Sequence, residues 1–252
     1  SLKVPPFRAD VQREVDVIEE VLRIYGFNTV ETPTKLNTST SYSDEVKPET
    51  LRNTISDLLS SNGFFEIMNN SLTKESYTKL IPELEVEQNI KIVNPLSQDL
   101  NVMRQFLLFS GLENISYNIN RKNQDLKLYE FGKTYHKVEE ENQERQHLML
   151  LLTGTVNSEN WNTTKDKTDF FVTKEKVEHI LYRLGLNTWD VSEGSGWGRS
   201  YTLTYSYEDQ RLVCFGKVTK DLCSKFGVKS DVYMADFNWD LILQLVVNTK
   251  IK

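Results

Sequence analysis

The sequence lacks the features that identify zinc, secreted and membrane proteins. Its only cysteines, Cys214 and Cys223, form no Cys-x-x-Cys pair and have no histidine pair nearby. This excludes a typical zinc site and favours two reduced thiols. No signal peptide is recognisable, and no apolar run approaches the ~18 residues that a membrane-spanning helix needs. We therefore expect a cytoplasmic protein with no membrane partner.

The sequence also lacks any segment in which lysine and arginine are concentrated. With 30 basic against 36 acidic residues, its formal net charge is -6. Nonspecific nucleic-acid binding usually requires a clustered basic face. The charge pattern therefore argues against nucleic acid as the main ligand of these residues. If nucleic acid is contacted at all, we expect the contact to be made by a local site or by neighbouring domains.

What the sequence does contain is enough apolar material for a buried core. Of its 252 residues, 38% are hydrophobic and 11% aromatic, which argues against disorder. The hydrophobic periodicities predict helices over residues 11–25, 48–63, 74–80, 102–120, 173–184 and 219–226, and strands over residues 64–72, 90–93, 126–135, 147–154, 200–207, 211–218 and 232–239. Strands joined mostly by short turns, with helices inserted irregularly, indicate an α+β fold with an antiparallel sheet flanked by helices.

The first helix follows a proline-rich extended segment, and Asp10 stands where its N-cap is expected. Its apolar residues recur at steps of four and three: Val11, Val15, Ile18, Leu22 and Tyr25. The polar connector behind it predicts a domain boundary. We expect residues 1–28 to end a preceding small domain, residues 29–47 to form a linker, and residues 48–252 to form the main module.

This helix also presents an acidic face. Asp16, Glu19 and Glu20 occupy positions i, i+3 and i+4, so they share one side of the helix. Clustered carboxylates of this kind suit Mg²⁺, which prefers oxygen ligands. A solvated face is the alternative, because the helix dipole favours acids near the N-terminus and Glu19 can pair with Arg23. The spacing alone leaves both interpretations open.

The residues around this helix form a long motif. The run VPPFRAD over residues 4–10, followed by EVDVIEEVLRIYGFN over residues 14–28, closely resembles the beta-subunit family of bacterial phenylalanyl-tRNA synthetases. In that family a Pro-x-x-Arg-x-Asp segment leads into an Asp-x-Ile-Glu-Glu helix that ends Arg-x-Tyr-Gly. The resemblance implies a Mg²⁺ site shared with the alpha subunit, with four ligands in this sequence: Asp10, Asp16, Glu19 and Glu20.

The resemblance continues through NPLS at residues 94–97, YNINR at residues 117–121 and LYEFGK at residues 128–133. It implies a noncatalytic module with the class II aminoacyl-tRNA synthetase fold, packed on the catalytic alpha subunit in an (αβ)₂ heterotetramer. ATP would be bound by the holoenzyme and not by these residues, and tRNA mainly by other domains. The chain would thus be a fragment of the beta subunit that supports attachment of phenylalanine to its tRNA.

The sequence lacks a complete class II active site, which agrees with a noncatalytic module. A working class II site needs an Arg-x-Glu pair and a late glycine-rich segment that ends in arginine. Near the first position stands Arg104-Gln105-Phe106, which has no carboxylate. The candidate for the second, residues 194–199, precedes a strand pattern, whereas a phosphate loop opens a helix. The three histidines show no ligand spacing, so we assign no catalytic or cofactor-binding residue.

Two other functions compete with this one. The chain could be a free-standing Mg²⁺-dependent enzyme that uses nucleotides, with the acidic helix as its metal site. It could also be a metal-free protein-interaction domain whose acidic helix is only solvated. The apolar residues of the 48–63 helix fit an internal core, although the same helix occupies the place of the class II dimerisation helix.

Overall fold

The computed structural model describes residues 3–32, 35, 47–95, 97–139, 141–157, 161–162 and 166–248. They form two compact units, Ser1–Asp44 and Glu45–Lys252. The linker predicted over residues 29–47 lies mostly outside the described residues, so its boundaries stay a prediction.

The first unit contains helix α1 (Glu14–Tyr25) and a 3₁₀ turn (Phe27–Thr29). The prediction that Asp10 caps this helix was wrong. Arg13 is the N-cap residue, and the Asp16 carboxylate accepts the backbone N–H of Arg13 in a capping box. Because Asp16 provides this acceptor, the helix begins three residues later than its apolar pattern suggests. No α1 residue is buried within the described chain.

The second unit is built on a seven-stranded sheet. The helices that follow α1 are α2 (Pro48–Ser61), α3 (Glu75–Thr78), α4 (Leu108–Ile119), α5 (Phe170–Arg183), α6 (Lys220–Lys225) and α7 (Trp239–Asn248). The strands are β1 (Phe65–Glu66), β2 (Leu72–Thr73), β3 (Val102–Met103), β4 (Leu126–Val138), β5 (Glu141–Thr153), β6 (Asp190–Gly196), β7 (Arg199–Tyr207), β8 (Gln210–Val218) and β9 (Val232–Asn238).

The strand order in the main sheet is β1-β4-β5-β9-β8-β7-β6. Every neighbouring pair is antiparallel except β1 and β4, which run parallel. Strands β2 and β3 form a separate two-stranded sheet. The predicted α+β class with an antiparallel sheet is confirmed.

Helices cover both faces of the sheet. This double burial explains the apolar run in strand β5. Leu148, Leu150 and Leu152 pack into the cluster that includes α2, α5 and α7. Met149 and Leu151 point to the opposite cluster, which includes α4 and α6. A strand buried on both faces needs a continuous hydrophobic run, because successive side chains alternate between the faces.

The predicted helices and strands were wrong where the local hydrophobic pattern and the strand pairing in the folded protein disagree. The strand expected at residues 90–93 is only a bridge between Lys91 and Val102. The helix expected from residue 102 begins at Leu108, because residues 102–103 pair with β2 instead. Strand β6 was not predicted, since it lies at the sheet edge with mostly exposed residues and has no apolar alternation. Helix α7 was also missed.

Cys214 and Cys223 are free thiols, as predicted, and both are buried. Among the described residues, no helix combines the length and the apolar character that crossing a membrane requires.

Candidate functional site

The acidic residues of the first unit are organised around arginines. Arg8 donates to Asp10 (3.0 Å) and to Glu20 (2.8 Å), so its guanidinium joins the segment before α1 to the helix itself. Arg23 in turn donates to Glu19 (2.9 Å) and to Glu20 (3.0 Å). The hydrogen bond from Arg8 lowers the pKa of Asp10. Three of the four predicted ligands therefore lie in one chain of ion pairs.

Asp16 has a different environment. Its Oδ2 accepts backbone N–H groups from Gln12 (3.1 Å) and Arg13 (2.8 Å), and its Oδ1 accepts from the Arg13 side chain (3.0 Å). These hydrogen bonds, with the Arg13 side chain foremost, lower the pKa of Asp16 to about 2. The residue therefore acts as a helix cap in this arrangement, and the capping uses both of its oxygens.

The four acidic side chains have the right chemistry to bind a metal ion, but their arrangement in the chain alone does not form a metal site. Carboxylate oxygens are the ligands that Mg²⁺ prefers. In the described part of the chain, however, no three Asp, Glu, His or Cys side chains are grouped so that they could hold a metal ion. The positive charge beside Asp10, Glu19 and Glu20 is provided by arginines. These residues suit a hard cation in chemistry but do not form a complete cage by themselves.

A second group of polar residues lines a cavity of about 100 Å³ at the sheet in the second unit. A chain of hydrogen bonds crosses three strands there. The His136 Nε2 lies 3.2 Å from the Thr134 hydroxyl, which lies 3.1 Å from the His147 Nε2. The His147 Nδ1 lies 2.8 Å from an Asp236 carboxylate oxygen. Phe106 and Trp197 contribute aromatic walls.

The partners determine the directions of these hydrogen bonds. An ionised carboxylate only accepts, so His147 donates from Nδ1 to Asp236. When His147 is neutral, its Nε2 accepts from the Thr134 hydroxyl, and Thr134 then accepts from His136. Burial, with smaller effects from Arg145 and His147, lowers the pKa of His136 to about 4, so this ring is neutral at pH 7.

Asp236 keeps its charge although it is buried. Burial alone would raise the pKa of this carboxyl, but the nearby His147, Arg211 and Arg199 outweigh it and lower the pKa. The sequence did not reveal this cluster, since 89 positions separate His147 from Asp236. The antiparallel register of β4, β5 and β9 brings the residues together. Two of the three histidines, which show no ligand spacing in the sequence, thus share one network.

The two arginines singled out from the sequence do not face a ligand. Arg104 donates to Glu130 at 2.7 Å, and both side chains are almost fully buried. Arg199 is also buried, and its Nη1 donates to the Cys214 carbonyl oxygen at 3.1 Å. Its Nε and Nη2 have no hydrogen-bond partner in the described structure. Both guanidinium groups are therefore part of the interior.

The glycine-rich segment forms the turn between β6 and β7, as the sequence predicted. Its three central residues have positive φ angles: Gly196 (121°), Trp197 (52°) and Gly198 (73°). The Trp197 backbone N–H donates to Glu83 at 2.8 Å. Strand β7 begins directly after the turn, at Arg199, so no helix N-terminus is available to bind a phosphate there.

Comparisons with known proteins agree with this architecture. A family model described as "Phenylalanyl tRNA synthetase beta chain CLM domain" matches residues 32–239, and one described as "tRNA synthetase B5 domain" matches residues 1–27. The sequence is 40% identical over 264 residues to a phenylalanine–tRNA ligase beta subunit of Bacteroides fragilis, covering 100% of this chain and 32% of the relative. The sequence is 34% identical to the phenylalanine–tRNA ligase beta subunit of Porphyromonas gingivalis, and the match covers 96% of this chain and 31% of that relative.

Solved structures agree on the fold. A pyrrolysyl-tRNA synthetase from Desulfitobacterium hafniense superposes with a TM-score of 0.63 at 13% identity, covering 99% of this chain and 84% of that one. A structure of Desulfitobacterium hafniense PylSc, a pyrrolysyl-tRNA synthetase, gives a TM-score of 0.61 at 16% identity, covering 79% of this chain and 69% of that one. The chain spans about a third of the length of the curated relatives it matches. Because a single family model covers most of its sequence, the chain belongs to the phenylalanyl-tRNA synthetase beta-chain family.

Proposed function

We propose that this chain is a noncatalytic part of a phenylalanine–tRNA ligase beta subunit that supports the reaction by packing on the catalytic alpha subunit. The observation that favours a noncatalytic role is the burial of Arg104 and Arg199. Arg104 is paired with Glu130, and Arg199 is only 2% exposed, so neither guanidinium is accessible to the phosphates of ATP. On this proposal ATP is bound by the alpha subunit, and tRNA mainly by other domains of the cytoplasmic (αβ)₂ holoenzyme.

The test combines an activity assay with a binding assay. The full chain alone is expected to form no phenylalanyl-adenylate from phenylalanine and ATP. Mixed with the alpha subunit of the same organism, it is expected to elute from a sizing column as a complex. Adenylate formation by the chain alone would favour the free-standing enzyme. Separate elution of two folded proteins would contradict the supporting role.

We also propose that the acidic helix contributes to a Mg²⁺ site that the alpha subunit completes, with Asp10, Asp16, Glu19 and Glu20 as its candidate residues. Asp10, Glu19 and Glu20 are the strongest, because their paired arginines sit on a solvent-exposed face and can be displaced. Asp16 would have to give up part of its capping role. Mg²⁺ bound there would add a fixed positive charge between the two subunits.

Calorimetry separates this site from a metal-free interaction domain. We expect weak or no Mg²⁺ binding to the chain alone and saturable binding to the complex. Glu20→Gln should abolish that binding, whereas Glu14→Gln serves as a matched control, because Glu14 lies on the same helix but outside the chain of ion pairs. A complex that binds no Mg²⁺, or binds it equally in both variants, would favour the metal-free domain.

A further inference from the structure

The polar cavity of the second unit is surrounded by more positive than negative charge. Arg145 on β5 and Arg211 on β8 line it, and Asp236 is the one carboxylate among its described lining residues. Buried Arg199 adds a third guanidinium close enough to Asp236 to affect the pKa of that carboxyl. The Glu83 carboxylate, beside Trp197, accepts a hydrogen bond from the Trp197 backbone N–H.

Asp236 cannot neutralise all of these groups. One of its oxygens accepts from His147, and the other lies 3.3 Å from the Arg211 Nη2. Arg145 has a neutral partner instead, because its Nη2 donates to the Gln143 amide oxygen at 3.2 Å. Guanidinium groups in a partly enclosed site gain most from an oxygen anion that accepts two or more of their N–H groups.

The walls of the cavity strengthen such an interaction. Phe106 and Trp197 pack edge to face with ring centroids 6.1 Å apart, and Arg211 lies 5.9 Å from the Trp197 ring. The aromatic rings exclude water only on their side of the cavity, since Arg145 is exposed and the Arg211 side chain is 37% exposed. Attraction between opposite charges grows as the local dielectric constant falls, so the aromatic side of the cavity favours an anion most. The Asn238 amide group also lines the cavity and can donate hydrogen bonds, whereas the Gln105 Nε2 already donates to the Glu85 carbonyl oxygen and to Asn89.

We propose that this cavity binds a small phosphate-class oxyanion, with Arg145 and Arg211 as its principal ligands. The volume of about 100 Å³ corresponds to roughly three water molecules at their liquid volume of ~30 Å³ each. Inorganic phosphate fits such a space, whereas the base and sugar of a nucleotide would have to remain outside it. The binding residues all belong to the second unit, so the site needs neither Mg²⁺ nor the alpha subunit.

Isothermal titration of the full chain with inorganic phosphate tests the proposal, with AMP as a second arm. At low ionic strength we expect saturable binding of one phosphate. Arg145→Gln should weaken it about tenfold or more, since the positive charge and its charge-assisted hydrogen bond are lost while a polar side chain remains. Arg183→Gln is the matched control, because Arg183 is exposed in the last turn of α5 and outside the cavity lining.

A second variant and a stability measurement distinguish loss of the phosphate site from loss of the fold. Arg211→Gln should weaken phosphate binding as well, and urea unfolding will show whether each variant is folded. Tighter binding of AMP than of phosphate, with the same loss in Arg145→Gln, would support an oxyanion that belongs to a larger molecule. Absence of saturable binding for both ligands, or equal affinity in wild type and Arg145→Gln, would overturn the proposal.

Discussion

The Arg104 guanidinium and the Glu130 carboxylate form an ion pair of 2.7 Å whose side chains are only 4% and 2% exposed. Arg104 also donates from Nε to the Lys133 carbonyl oxygen at 2.9 Å. Glu130 accepts further hydrogen bonds from the Asn69 backbone and side chain. The pair therefore ties the segment before α4, strand β4 and the segment after β1 together in the interior.

Replacing one member of this pair should be strongly destabilising. Arg104→Met leaves a buried carboxylate without its cation, for which we expect a loss of about 3–5 kcal/mol in the free energy of unfolding. Urea denaturation measures it. The double variant Arg104→Met with Glu130→Gln should recover part of the loss, because the uncompensated charge is then gone.

Lys133→Met provides the control for Arg104→Met. Lys133 contacts Glu144 at 2.6 Å, but both side chains are about half exposed. Solvent screens such a pair, so we expect a loss below about 1 kcal/mol. Equal losses in Arg104→Met and Lys133→Met would show that burial does not make the Arg104–Glu130 pair special.

His136 should make stability depend on pH. Its pKa in the folded protein is about 4, below the ordinary value of 6.5. As the pH falls from 6.5, the unfolded chain binds a proton that the folded chain does not, so stability is lost progressively until pH 4. The full effect is roughly 3 kcal/mol, and His136→Gln should remove this part of the pH dependence.

Urea denaturation of wild type and variants between pH 7 and pH 4 checks the effect of His136. His179→Gln serves as the control, since His179 is exposed on α5. This variant should keep the wild-type profile. If the free energy of unfolding of His136→Gln falls with pH as steeply as that of wild type over that range, the buried neutral ring is not the source of the pH dependence.

Asp16 should stabilise α1 whether or not Mg²⁺ is present. Asp16→Ala removes the acceptor for the backbone N–H groups of Gln12 and Arg13, so the first turn of the helix should fray. Faster hydrogen exchange of the amides at the start of α1 would report it. Glu14→Ala, in the same turn but with no such hydrogen bond among the described contacts, should have a smaller effect.

The response of the Asp16→Ala variant to added Mg²⁺ separates its two candidate roles. In the complex with the alpha subunit, protection of α1 by Mg²⁺ that persists in Asp16→Ala is the result expected of a cap, and loss of that protection is the result expected of a ligand. Protection of wild-type α1 by Mg²⁺ without the alpha subunit would contradict the absence of a complete cage in the chain itself.

Gly216 should be intolerant of any side chain. A Cβ atom there would lie 1.9 Å from the Tyr201 carbonyl oxygen of the neighbouring strand, and backbone cannot move aside cheaply. We expect Gly216→Ala to lower the free energy of unfolding by about 1–3 kcal/mol or more. Gly194→Ala is the control, because its Cβ would only touch the Thr202 hydroxyl at 3.4 Å. Thermal unfolding of both variants measures the two losses, and equal losses would contradict the prediction.

Some features were predictable because they depend on local periodicity. The apolar spacing of Leu51, Ile55 and Leu59 predicted α2, and the structure buries all three in the core. The continuous apolar run of β5 likewise predicted a buried strand. Strand β6 could not be found in this way, since its pairing with β7 is almost its whole stabilisation and its side chains are mostly exposed.

The sequence by itself determined the α+β class, most elements of the sheet and the acidic helix, because hydrophobic period and motif spacing are properties of neighbouring residues. Only the tertiary structure decided which polar groups meet. It joined His136, Thr134, His147 and Asp236 across three strands, and it buried Arg104 and Arg199. Strand register sets these contacts, and register depends on pairings between distant segments that no local pattern contains.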